Sequence, residues 1–167
     1  MQDAVDRIIE QWQRERPDLD TSSIAVIGRL SRISQLLDRS MADTFAGHGL
    51  QPGWYDVLAS LRRAGGDCEL TPSALVDTMM LTSGAVTKRI DRLEQLGYVA
   101  RRQDPADGRG VLVRLTRAGA RVLDAASDDH LANQRRLLAG LAGRQQDELV
   151  RLLRTWSLAL ERDEPDA

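Results

Sequence analysis

Cysteine is almost missing from this sequence. Cys68 is the single one in 167 residues, so no intrachain disulfide can staple the fold, and a reducing, cytoplasmic setting is expected. Histidine is nearly as scarce. His48 and His130 stand far apart without cysteine neighbours, which argues against a metal site, and both read as surface or loop residues. No apolar run approaches the roughly 18 residues that a membrane-spanning helix needs. The opening MQDAVDRIIEQW holds neither the basic start nor the apolar stretch of a secretion signal. Internal repeats and low-complexity segments are absent. So are a nucleophile elbow, a Walker loop, a dinucleotide fingerprint and a cluster of metal ligands. An enzyme is therefore not expected: catalytic residues none, metal none, cofactor none. What is present in quantity is apolar surface, 42% of the residues, enough for a globular core in one domain with or without an oligomerisation module.

The informative stretch runs from Leu81 to Thr116. Thr82 or Ser83 can cap a helix that continues through good helix formers to Gly97, a residue suited to the position just past a helix end. Val86, Ile90 and Leu93 recur at i, i+4, i+7, so one face turns inward. The opposite face carries Ser83, Gly84, Thr87 and Lys88, small or donating side chains that let a helix approach a polyanion, with Arg89 and Arg92 on its flanks. A hairpin pattern follows. Tyr98 and Val99 open a strand through Arg101 and Arg102, residues 104–110 form the loop, and Val111–Leu115 returns with Arg114 near its end. A helix with a small cationic face and a hairpin with arginines at base and tip read as a winged helix-turn-helix. The helix is expected in the DNA major groove, with Arg109 at the wing tip reaching the adjacent minor groove. The expected DNA-contacting set is Ser83, Gly84, Thr87, Lys88, Arg92, Arg102, Arg109 and Arg114.

Charge supports this. Residues 82–117 hold eight basic and four acidic side chains, a balance of +4 in a chain of −2, which leaves −6 for the remainder. A basic island on an acidic chain fits a local polyanion contact.

In chain order, Val5, Ile8, Ile9 and Trp12 mark a short amphipathic helix ended by Pro17 and Asp18. Asp20–Ser23 supplies caps for a longer helix with an apolar stripe from Ile24 to Phe45. Pro52 opens a third, with Trp54, Val57, Leu58 and Leu61 inward, and the Gly65-Gly66 pair breaks it. Thr71-Pro72 begins a short helix that stops near Met80. After the hairpin, Thr116 caps a long helix over about 117–138, whose polar stretch Ser127–His130 is a candidate bend or interruption. A last helix runs over about 144–161 with Leu149, Leu152, Leu153, Trp156 and Leu160 in one stripe. The fold class expected is mainly α with a small β-hairpin wing. Residues 1–46 contribute helices to dimerisation, 47–116 form the winged helix lobe, 117–163 the C-terminal dimerisation helices and 164–167 a tail. Terminal apolar stripes left uncovered would form a large exposed patch, so a homodimer is expected, with two recognition helices about 34–36 Å apart on a palindromic operator.

The segment SGAVTKRIDRLEQLGYVARRQDPADGRGVLVRLTRAGARVL resembles the DNA-binding lobe of the MarR (multiple antibiotic resistance regulator) family, in TKRIDRLEQLGYVAR, in the Asp107-Gly-Arg109 of the wing and in Leu115-Thr116 followed by Gly119. With the flanking helices the resemblance covers nearly the whole chain. It implies a homodimeric bacterial regulator, usually a repressor, released from DNA by a small ligand. The additional helix carrying Trp12 is similar to the urate-responsive branch of that family. That likeness implies a pocket for a small anion such as urate, formed by Trp12, Asp56, Arg89 and Arg101, in which guanidinium donors, a carboxylate acceptor and an aromatic lid suit an anionic purine. Other readings stay open for the same residues: Trp12 as dimer core, Asp56 with Arg89 or Arg101 as a structural ion pair, both arginines as phosphate contacts. The ligand could equally be a phenolic or tricarboxylic acid, or the signal oxidation of Cys68, although its carboxylate neighbours Asp67 and Glu69 oppose a reactive thiolate. A winged helix used only for protein–protein contact is the alternative from another class.

Overall fold

In the computed structural model, residues 2–79, 82–105, 107–108 and 110–163 are described. They fall into two compact units divided between His130 and Leu131. The first begins with helix α1 (Ala4–Glu15), closed at its start by a capping box: the Asp3 carboxylate accepts from the N–H groups of Val5 and Asp6, and Asp6 accepts from that of Asp3. This helix docks on α2 (Ile24–Ala46) where α2 has Gly28. A β-carbon there would stand 3.1 Å from a methyl of Val5, so the missing side chain is what lets the two helices approach. Arg29, one residue on, bridges Asp3 and Asp6 at 2.8 and 2.5 Å. The expected caps of α2 are only partly used: Ser23 makes no side-chain cap, and the Asp20 carboxylate instead turns the chain by accepting from the N–H of Ser22.

Helix α3 (Pro52–Arg63) opens on its proline as expected and buries Val57, Leu58 and Leu61 completely. The chain then makes a two-residue strand, β1 (Glu69–Leu70), that the sequence reading missed. Helices α4 (Pro72–Met79) and α5 (Ser83–Gln95) follow, then β2 (Val99–Gln103) and β3 (Val111–Leu115). The three strands form an antiparallel sheet in the order β1-β3-β2. The core lies where α3, α4 and α5 meet this sheet, around Leu58, Leu61, Leu75, Ile90, Leu93 and Val113.

Helix α6 (Arg117–Leu138) is continuous through the polar stretch that was a candidate bend or interruption. Ser127 donates to the Leu123 carbonyl at 2.7 Å and lies 3.2 Å from the Tyr55 hydroxyl, while Asp128 and Asp129 point to solvent. His130 is not a surface residue. It is 9% exposed, its ring 4.9 Å from Phe45 and 5.1 Å from Tyr55, because positions 123, 126, 127 and 130 share the inward face of one helix. His48 is half-buried and pairs with Asp129 at 2.9 Å.

The second unit holds the end of α6 and α7 (Gly143–Asp163), joined by a turn in which Gln145 accepts from the N–H of Ala142 and Gln146 donates to the Leu141 carbonyl. The apolar stripe of α7 is exposed in the single chain, with Leu152 at 52% and Leu160 at 54%. So is that of α2, with Ile27 and Ile33 both at 52%. Among the described residues no helix is long and apolar enough to cross a membrane.

Candidate functional site

Helix α5 presents two contrasting faces. Val86, Ile90 and Leu93 are fully buried or nearly so, which fixes the helix on α3 and α4. Ser83, Gly84, Thr87, Lys88 and Arg92 are exposed on the other side. Thr87 donates to the Ser83 carbonyl at 2.9 Å, which sets its rotamer and leaves its oxygen lone pairs outward. Arg92 donates to Gln95 and its guanidinium carbon lies 6.0 Å from the centre of the Trp54 ring, so α3 steers this cation. The expected cap is only positional: Thr82 occupies the N-cap, but its side chain makes no capping hydrogen bond. At the far end Gly97 takes φ +72°, the N–H of Tyr98 reaches the Leu93 carbonyl and that of Gly97 the Glu94 carbonyl, a Schellman closure that turns the chain straight into β2.

Strand alternation then separates the arginines of the wing base. Arg101 faces Val113 across the ladder and lies on the inward side of the sheet, toward α5. Its backbone N–H donates to Glu94 at 3.0 Å and its guanidinium engages both Glu94 and Asp91, the latter at 2.5 Å. These bonds hold its protonated form firmly, against partial burial. Arg102 and Arg114 lie on the outward side and converge on Glu69: Arg102 donates twice to one carboxylate oxygen, at 2.8 and 2.5 Å, and Arg114 lies 3.6 Å from the other. Arg109 falls outside the described residues.

Of the four residues expected around a small anion, the structure brings two together. The Arg89 guanidinium lies over Gly53, at the start of α3. A β-carbon there would stand 2.6 Å from its Nε, so the glycine is the seat of this side chain. Asp56, nearly one turn further on, feels the field of Arg89 first and then those of His130 and Arg63. Even so, lost hydration at its crowded position pushes its pKa above the usual 3.8, although the residue keeps exposed surface. Arg101 is committed to Glu94 and Asp91 instead, and Trp12 stands exposed on α1, lining a shallow depression with Gln11 and Glu15. No group of three or more His, Cys, Asp or Glu that could hold a metal occurs among the described residues.

Two features were not singled out from the sequence. One is Glu69, whose neighbour Cys68 holds φ 55° and whose partners are remote in the chain. The other is the node at Thr116. Its hydroxyl donates toward the carbonyls of Gly97 and Tyr98, at 2.7 and 3.1 Å, and accepts from the N–H of Gly119 at 3.0 Å. The cap was expected; the link from it to the end of α5 was not.

Known proteins match this arrangement. Residues 48–110 fit the sequence model of the MarR family. The chain is 37% identical over 89% of its length to the HTH-type transcriptional regulator PecS of Dickeya dadantii, covering 90% of that protein. It is 35% identical over 62% of its length to the multiple antibiotic resistance protein MarR of Escherichia coli, covering 70% of it. A crystal structure of a mutant E. coli MarR complexed with operator DNA superposes with a TM-score of 0.72 at 28% identity, covering 82% of this chain and 98% of that one. The chain belongs to the MarR family of DNA-binding transcriptional regulators, which are winged helix proteins and not enzymes.

Proposed function

We propose that this protein is a homodimeric repressor that lays α5 in the major groove of a palindromic operator and is released by a small anion bound near Asp56 and Arg89. The observation that carries the DNA reading is the exposed face of α5, where Ser83, Gly84, Thr87, Lys88 and Arg92 stand opposite a buried apolar face. Small side chains admit the helix to the groove, Thr87 and Lys88 reach base edges, and Arg92 contacts phosphate. Arg102 and Arg114 flank the groove from the wing base, and Arg109 is the residue this reading assigns to the minor groove. That a MarR protein of this fold has been crystallised with operator DNA supports the DNA-binding part of this reading.

Release is coupled to α5 through Arg89. An anion such as urate would draw this guanidinium off Gly53 and accept its hydrogen bonds, while Asp56 accepts from ring N–H groups. Arg101 joins this site only by giving up a carboxylate partner, and Trp12, which lines a separate depression in the single chain, only by a change in the position of α1. A ligand acts only by preferring the arrangement that binds DNA poorly, and coupling of this kind usually changes affinity roughly 5–150-fold. Fluorescence anisotropy on a duplex from the DNA upstream of the gene tests both halves. Thr87→Ala should alter preference among operator variants more than binding to random DNA. Urate should weaken the wild-type complex and have much less effect on Asp56→Asn, whose operator affinity stays near wild type. Equal release from both proteins would remove Asp56 from the ligand site, and equal loss by Thr87→Ala on every sequence would remove Thr87 from base readout.

A further inference from the structure

We propose that Glu69 is a specificity-determining residue: an internal counter-anion that holds Arg102 and Arg114 away from indiscriminate phosphate contact. The proposal rests on the reading that the outward face of the wing base lies toward DNA. The sheet register creates the arrangement. Glu69 on β1 stands opposite Arg114 on the central strand β3, and Arg114 stands opposite Ala100 on β2. Arg102, two residues along from Ala100 and hence on the same face, reaches across β3 to the same carboxylate. The Glu69 side chain is only 8% exposed, whereas those of Arg102 and Arg114 are 40% and 51% exposed. A carboxylate under two exposed guanidinium groups competes for them with any phosphate that approaches from solvent.

The two arginines are held unequally. Arg102 makes both of its bonds to one oxygen. The other, buried oxygen accepts no hydrogen bond and has Arg114 at 3.6 Å, too long for one. Asp67 lies 3.9 Å from Arg114, also beyond hydrogen-bond distance. Arg114 is therefore the readier of the two to leave for a phosphate, and it does so where operator contacts fix the wing in register. On random DNA the carboxylate competes successfully, which keeps the nonspecific affinity low.

Charge and scaffolding roles give opposite signs in Glu69→Gln, which keeps the shape and one acceptor but removes the anion. Its affinity for random duplex DNA should rise several-fold. The slope of log affinity against log salt should steepen by about 0.9 for each arginine released to a phosphate. The ratio of operator to random binding should fall. Unchanged or weaker random binding with an unchanged or shallower slope overturns the proposal. Arg114→Gln, which leaves Glu69 in place, keeps the question answerable if Glu69→Gln does not fold: on random DNA it should shallow the slope by much less than 0.9 per subunit. A full loss means that Arg114 is already committed to phosphate and overturns the proposal. Lys88→Ala, on α5, separates the two levels. It should weaken binding in either background, and if it does not, the DNA-facing reading fails and takes the Glu69 role with it.

Discussion

Gly119 sits in the first turn of α6, directly under the Tyr98 carbonyl. A β-carbon there would collide with that oxygen and stand 2.9 Å from the carbonyl carbon and 3.0 Å from a methyl of Leu115. Two of the three obstacles are backbone, so a side chain at this position cannot be accommodated by a rotamer change. Gly119→Ala should therefore push α6 off the end of β2 and cost about 1–3 kcal/mol, as overpacking does. Thermal unfolding followed by circular dichroism should show Tm lowered by roughly 2–4 °C per kcal/mol. An unshifted Tm would mean that the Thr116 node yields without cost. Thr116, Gly119 and the Tyr98 carbonyl act together here, and a position that looks like a permissive helix start is among the most constrained in the chain.

At the scale of elements, α6 carries a titratable group into the core. Burial drives the pKa of His130 below its ordinary 6.5, against the opposing pull of Asp56. The folded protein thus prefers the neutral ring, and the unfolded chain takes up the proton first. Stability is complete above 6.5 and declines as the pH falls below that value. Asp56 acts with the opposite sign in a lower range, since its raised pKa makes stability decline as pH climbs above 3.8. Melting temperatures taken between about pH 7.5 and about pH 5.5 should fall for the wild type and less for His130→Gln; equal slopes would place the titration elsewhere. The sequence revealed α6 but not this burial. Helices α1 to α7 follow from apolar spacing, Pro52, Gly97 and the Thr116 cap, all of which act within a few residues. His130 is buried by Phe45 and Tyr55, and β1 exists only because Glu69 and Leu70 find β3. Neither leaves a local periodic signal. The cationic face of α5 was legible because its buried face was. The commitment of Arg101 to Glu94 and Asp91, apart from Arg89, was not, although alternation from Val99 already put Arg101 and Arg102 on opposite sides of the sheet.

For the molecule as a whole, the apolar stripes of α2 and α7 are the largest unexplained cost of a single chain. Ile27, Leu30, Ile33 and Leu37 on α2, and Leu149, Leu152, Leu153 and Leu160 on α7, are all exposed. Pairing two chains would remove this surface from water. The protein should sediment at twice the chain mass, and Leu153→Glu should shift it to monomer or aggregate and abolish high-affinity operator binding. A wild-type monomer, or an undisturbed Leu153→Glu dimer, would exclude α7 from the interface. The alternation in the wing also bears on which changes of length the chain can survive. Inserting one residue between Val99 and Arg101 would exchange the faces of Arg101 and Arg102, taking Arg101 from Glu94 and Asp91 and Arg102 from Glu69 at one stroke. Residues added between Asp104 and Gly110 would leave every strand pair in register. Relatives of this protein should therefore differ in the length of the wing tip and hardly ever in that of its base.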